Sequence, residues 1–323
     1  MSFWRDRKVV VTGGAGFLGT PLVGLLESRK ASVFVPRSRD FDLREKSAVE
    51  KLLQQEKPSL VFHLAASCGG IAANMKNPGK FFYDNAAMGI NLIETARQYQ
   101  SKFQVPNFKL VIVGTICAYP KFTPVPFREE EFWNGYPEET NAPYGLAKKM
   151  MLVQAQAYRK QYGLNAIYVL PVNLYGPGDN FDLEHSHVIA ALVRKMVEAR
   201  RAGLPLVEVW GTGKISREFL YVNDCAEALV LAAEKYDGPE PVNLGAGREI
   251  TVRELAELIC GATGYQGRLE WNSSKPDGQP RRCLDTSRAS ELFGFTARIS
   301  LEEGIRKTVE WFEAHHCSEA PAR

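Results

Sequence analysis

The chain has 323 residues, 45% hydrophobic and 24% charged, with a formal net charge of +3. That suffices for one large or two ordinary domains with a full core, and basic residues this dispersed, without a polybasic run, argue against nucleic acid or an anionic membrane as a partner. No apolar run approaches the ~20 residues of a membrane span and Met1–Arg7 lacks the apolar centre of a signal peptide, so a cytoplasmic location is expected.

The first element is Lys8–Thr12, a short apolar run that reads as a buried strand. It leads into Gly13-Gly-Ala-Gly-Phe-Leu-Gly19 and an amphipathic stretch through Leu26, the strand, glycine turn and helix of a dinucleotide fingerprint. Gly13 serves the tight turn, Gly16 lets backbone approach a pyrophosphate at the helix N-terminus, and Gly19 lets helix and strand pack closely, with Phe17 and Leu18 carried on the same loop. The second strand, Ser32 to Val35, is followed by Arg37 and Arg39 before any carboxylate. Two guanidiniums where a ribose is read favour NADP(H), since Arg grips a phosphate bidentately. Asp42 and Leu43 read as an adenine contact.

Further strands are expected at Leu60 to Ala65, Lys109 to Val113 and Ala166 to Val172, with amphipathic stretches between them. This βαβα order predicts an α/β Rossmann fold, a doubly wound parallel sheet with helices on both faces and ligands outside the carboxyl ends of the strands. One rim then carries the glycine loop, His63 to Ala66, Gly114 to Cys117 and Pro171 to Tyr175. Ala65, Pro171 and Leu174 on that rim are expected to contact the cofactor.

Between the last two of these strands lies Asn141-Ala-Pro-Tyr-Gly-Leu-Ala-Lys148. Tyr144 and Lys148 share a helix face, where an ammonium is expected to bring the phenol towards neutrality for proton exchange with an alcohol or ketone. After Tyr175-Gly-Pro-Gly178 the composition becomes mixed. The expected division is a cofactor domain over 1–174 and a smaller mixed α/β substrate-binding domain over 175–323, part of 217–245 returning to the first. Six cysteines without paired short spacings predict neither a metal site nor a disulfide framework.

Several motifs carry a resemblance: His63-Leu-Ala-Ala66 with Gly69-Gly-Ile-Ala-Ala-Asn74, Cys117-Ala-Tyr-Pro-Lys121, Asn173-Leu-Tyr-Gly-Pro177, Asp179-Asn-Phe181, Ser186-His-Val-Ile189, Arg217-Glu-Phe219 and Lys275-Pro-Asp-Gly278. Over nearly its whole length the chain resembles the extended short-chain dehydrogenase/reductases, and among them the GDP-L-fucose synthase family. The resemblance implies a GDP-4-keto-6-deoxy sugar, epimerised at C3 and C5 and reduced at C4 by NADPH. It assigns Cys117 as base, His187 as acid, Tyr144 as proton donor and Thr115 as hydrogen-bond partner of the carbonyl oxygen, with Lys148 tuning Tyr144 and holding the nicotinamide ribose. It also places Asn173 beside both substrate and cofactor, His187 beside the substrate, Lys195, Trp210, Arg217 and Asp277 against its nucleotide portion, and a homodimer on the Tyr144 helix and its neighbour, with Met150, Met151, Leu152 and Ala155 as face or core.

Read on the residues alone, Cys117 also suits a small core position, His187 a helix-start surface position with His185 as a rival, and Asn173 a turn. Two departures stand out. Ala15 occupies a loop position where the family usually carries an Arg for the 2′-phosphate, which leaves NAD(H) open, and Thr115-Ile116 replaces a Ser-Ser pair with loss of one hydroxyl. These leave room for a related GDP-sugar, for a 3,5-epimerase that retains NAD, for a C4 reductase without epimerase activity, and remotely for a non-catalytic nucleotide sensor.

Overall fold

The computed structural model describes residues 3–183, 186–274 and 279–316. Its elements run β1 (Lys8–Thr12), α1 (Gly19–Ser28), β2 (Ser32–Phe34), α2 (Lys46–Glu56), β3 (Leu60–His63), α3 (Ile71–Lys76), α4 (Pro78–Phe103), β4 (Lys109–Val113), α5 (Ala142–Tyr162), β5 (Ala166–Pro171) and β6 (Asn173–Tyr175). There follow α6 (Val188–Ala202), β7 (Leu206–Trp210), β8 (Ser216–Tyr221), α7 (Val222–Lys235), β9 (Val242–Leu244), β10 (Glu249–Thr251), α8 (Val252–Thr263), β11 (Arg268–Asn272), α9 (Ser287–Phe293) and α10 (Leu301–His316).

Six strands form one sheet in the order β2-β1-β3-β4-β5-β9, every pair parallel. Helices cover both faces, so β3 and β4 are buried at every residue, which is why they read as continuous apolar runs rather than alternating ones. Each Val, Ile or Leu so buried contributes about 1.5–3 kcal/mol relative to exposure. The order reverses at β1, with β2 on one side and β3 on the other, and a crevice opens there beyond the carboxyl ends. Strands expected to run to Val35, Ala65 and Val172 stop one or two residues earlier, because the chain leaves the ladder to enter that crevice.

A second core, including Phe181, Val193, Leu255 and Ile305, lies under α6, α8 and α10. Its strands form a three-stranded sheet, β10-β8-β6, and a pair, β11-β7. β6 follows β5 after a single residue and pairs with β8, so the two cores are joined directly beside the crevice. After β8 the chain returns to the large sheet: Arg29, directly after α1, pairs with Glu227 and Glu234 of α7 at 2.7 and 3.1 Å, and β9 adds to β5.

Helices α4 and α5 pack side by side. Met151, Leu152 and Ala155 are buried in the core, which removes them from any dimer face. The exposed apolar side chains of this pair instead include Phe82, Tyr83, Ile90 and Val153, with Phe103 and Tyr162 at the helix ends. Among the described residues, no helix is long and apolar enough to cross a membrane.

Candidate active site

At the crevice a cleft of about 790 Å³ runs from the glycine loop to α6. Gly13 has φ +73°, and a Cβ there would stand 2.8 Å from the Ala65 nitrogen, while one on Gly19 would be driven into the Gly13 carbonyl. Glycine at both positions is what lets the loop fold against β3 and turn directly into α1. No side chain caps α1, so its first amides face the cleft with the dipole favouring an anion. This cradle fits a dinucleotide pyrophosphate.

Gly16, Phe17, Leu18, Arg37, Asp42 and Leu43 line the same end. Arg39 is absent from the lining: its side chain is 85% exposed and pairs with Asp40 at 3.2 Å. The Asp42 carboxylate is engaged by Arg44 at 2.7 Å, and that hydrogen bond holds its pKa below the ordinary value. Arg44 also reaches Asp84 at 3.2 Å, and Asp84 accepts from Ser67 at 2.8 Å. Arg44, Ser67 and Asp84 all line the cleft and were not singled out in the sequence. The only local signal was the place of Arg44 directly after Asp42-Leu43.

The other end holds the reactive side chains. Thr115 caps a single 3-10 turn, Ile116–Ala118, its hydroxyl accepting from the Cys117 amide at 3.2 Å, and it also hydrogen-bonds the Tyr144 phenol. Ile116, which looked like a loss of polarity, is 3% exposed and belongs to the core. Tyr144 and Lys148 stand one turn apart on α5, whose backbone is anchored by the Tyr168 hydroxyl donating to the Lys148 carbonyl at 2.9 Å. Lys148 is fully buried, donates to the Val113 carbonyl at 3.1 Å, and is brought down to about 8 by loss of hydration.

One expectation is corrected here. Burial pushes the Tyr144 phenol well above the ordinary tyrosine value, so the residue is held protonated rather than tuned towards neutrality by Lys148. His63 beneath it shares a hydrogen bond with the Thr12 hydroxyl at 2.9 Å; burial, then the Lys148 charge, lowers it to about 3, so its ring is neutral.

Cys117 Sγ lies 3.6 Å from the Arg282 guanidinium. Cys68, from the β3 rim, lines the same cleft. Asn173 donates to the Glu218 carbonyl at 3.0 Å, and Ala65, Pro171 and Leu174 complete that wall. His187 sits at the N-terminus of α6 in the cleft mouth; its ring is accessible, yet the surrounding protein lowers its pKa.

Of the other candidates among the described residues, Lys195, Trp210 and Arg217 are not brought to this lining. Lys195 donates to the Glu208 carbonyl at 3.0 Å and lies 5.6 Å over the Trp210 ring, and Arg217 donates to the Ser216 carbonyl at 2.7 Å. Asp277 and His185 fall outside the described residues.

Residues 9–245 match the NAD dependent epimerase/dehydratase family. GDP-L-fucose synthase 1 of Arabidopsis thaliana is 40% identical over 97% of this chain and 95% of its own length. Among solved structures, a GDP-6-OMe-4-keto-L-xylo-heptose reductase from C. jejuni superposes with a TM-score of 0.88 at 28% identity, covering 96% of this chain and 99% of the other. A GDP-L-fucose synthetase from Naegleria fowleri bound to NADP gives 0.87 at 27% identity, covering 98% and 97%.

Proposed function

Because the chain belongs to the NAD dependent epimerase/dehydratase family, we propose that it acts on a GDP-4-keto-6-deoxy sugar as a 3,5-epimerase and 4-reductase, converting GDP-4-keto-6-deoxy-D-mannose to GDP-L-fucose. The observation that carries this reading is the meeting of Thr115, Cys117, Tyr144, Lys148 and His187 in the cleft that also holds the glycine cradle. Relatives named GDP-L-fucose synthase support the substrate.

A 4-ketone acidifies the hydrogens on both neighbouring carbons. Cys117 takes the proton from one face, and the electron pair of the broken C–H bond moves into the carbonyl as an enolate. His187 returns a proton from the other face, which inverts the centre. A lowered pKa makes His187 a stronger donor, though a scarcer one at neutral pH. Tyr144 and Thr115 hold the C4 oxygen, and a phenol that keeps its proton suits donation to an oxygen whose charge grows during reduction. NADPH, when bound, supplies the hydride that reduces C4. Lys148 serves the nicotinamide ribose, and Arg37 at the cleft edge supports NADP over NAD despite Ala15.

We assign 1–174 with the returning segment to cofactor binding and the rest of 175–323 to the nucleotide end of the sugar, with Lys195, Trp210, Arg217 and Asp277 as its contacts. The apolar surface of Tyr83, Ile90 and Val153 on α4 and α5 suits a homodimer.

Incubation with GDP-4-keto-6-deoxy-D-mannose and NADPH tests the assignment, following 340 nm absorbance and identifying the product by NMR. Stoichiometric oxidation with GDP-L-fucose formed is expected. Reduction with the original C3 and C5 configurations would remove the epimerase half, and inversion without net oxidation would favour an epimerase retaining its nicotinamide.

A further inference from the structure

We propose that Gly145 and Lys149 are positioning residues for epimerisation, a second row on α5 that fixes the Cys117 turn from behind. The inference rests on the assignment of Cys117 as base. Successive residues of a helix lie about 100° apart, so Gly145 and Lys149 form a row beside that of Tyr144 and Lys148. The first row faces the cleft, whereas the second meets the backbone of the 3-10 turn Ile116–Ala118.

Two independent contacts define the second row. A Cβ on Gly145 would stand 2.6 Å from the Cys117 carbonyl oxygen, 3.0 Å from its carbon and 3.2 Å from the Ala118 Cα, so the bare glycine lets the helix press directly on the turn. Glycine inside a helix costs about 1 kcal/mol relative to alanine, and here that cost secures the close approach. One turn on, Lys149 is buried and donates to the Ala118 carbonyl at 3.3 Å and to the Phe132 carbonyl. Its Nζ also lies 4.5 Å from the ring centroids of Phe132 and Trp133, both in the 3-10 turn Glu129–Trp133. Taking an ammonium out of water is costly, and the two carbonyl oxygens and two ring faces offset that cost. The Cys117 turn is therefore held at both ends. The Thr115 hydroxyl takes the Cys117 amide at 3.2 Å in front, and Lys149 takes the Ala118 carbonyl behind.

Proton abstraction beside the ketone depends on how closely the sulfur approaches the C–H bond, and a displacement of about 1 Å at a reacting group can cost about 10²-fold. Reduction at C4 draws instead on Tyr144, in the first row of α5, and on Thr115, just after β4. Disturbing the second row should therefore separate the two halves of the reaction, whereas a general loosening of the fold would lower both.

The test follows deuterium wash-in at C3 and C5 of GDP-4-keto-6-deoxy-D-mannose by the full chain without NADPH, so that only proton exchange is read. Single-turnover oxidation of GDP-L-fucose by NADP+, followed at 340 nm, reports the C4 step separately. In Lys149→Met the kcat for wash-in is expected to fall about 10–100-fold, with the KM for the sugar nucleotide and the C4 step largely retained. Lys149→Arg keeps a cation and its donors and should recover most of the rate. Gly145→Ala raises helix propensity yet drives a methyl into the Cys117 carbonyl. It should slow wash-in in the same direction, and it keeps the test usable should Lys149→Met fail to fold. Native wash-in rates in both variants, a change confined to KM, or equal loss of wash-in and of the C4 step would overturn the proposal. Absence of wash-in in the native chain would instead overturn the assigned epimerase activity, and this inference with it.

Discussion

The carboxyl edge of the parallel sheet and the smaller lobe treat their polar residues differently. β1, β3, β4 and β5 deliver Gly13, Ala65, Thr115 and Pro171 to one cleft, although these residues are scattered over nearly half the chain. In the smaller lobe Lys195, Trp210 and Arg217 lie on α6, β7 and β8, and each is turned to local partners rather than to the cleft lining. A parallel sheet points every strand end the same way, so convergence follows from topology alone. Short mixed strands give no such common direction, and side chains on them settle into local contacts.

The sharpest way to break this contrast is at Tyr144. Tyr144→Phe should lower C4 reduction by about 10²–10⁴-fold while leaving deuterium wash-in at C3 and C5 largely intact; equal loss of both activities would mean that the sheet edge holds one inseparable machine. Lys148 provides a stability signature of the same edge. Its folded value of about 8 lies below the ordinary 10.5, so below pH 8 the ammonium is charged in both states, and between 8 and 10.5 the unfolded chain binds more protons. The contribution of Lys148 to folding stability therefore rises with pH across that window, by up to about 3 kcal/mol. In urea unfolding the change in stability between pH 7 and pH 10.5 should be less favourable in Lys148→Met than in the native chain by that amount, the contributions of Lys149 and of the buried tyrosines being common to both.

Arg37→Ala should raise the KM for NADPH about 10–100-fold, the worth of a charge-assisted phosphate contact, with little change for NADH. Arg39→Ala should change neither by more than about twofold, as for an exposed ion pair. The smaller lobe is expected to give the mildest effects. Lys195→Met and Arg217→Gln should each raise the KM for the GDP-sugar by up to about tenfold, without altering the KM for NADPH. A larger effect there than at Arg37 would erase the distinction between the two regions.

The glycine fingerprint and the Tyr144/Lys148 spacing were readable because backbone geometry and helical period impose them locally. Asp42 was readable as a cleft residue, but the engagement of its carboxylate by Arg44 was not. Lys148 and Lys149 show the same limit at neighbouring positions. Both are brought down to about 8 by burial, yet Lys148 lines the cleft while Lys149 donates to the Ala118 and Phe132 carbonyls.

By itself the sequence determined the parallel sheet, the glycine turn into α1 and the shared helix face of Tyr144 and Lys148, since strand burial, glycine turns and helix periodicity act over a few residues. Only the tertiary structure decided the protonation of Tyr144, the neutrality of His63, the removal of Met151, Leu152 and Ala155 to the core, and the approach of Arg282 to Cys117. Those outcomes depend on burial and on charges brought together from distant parts of the chain, and no local pattern encodes a desolvation energy.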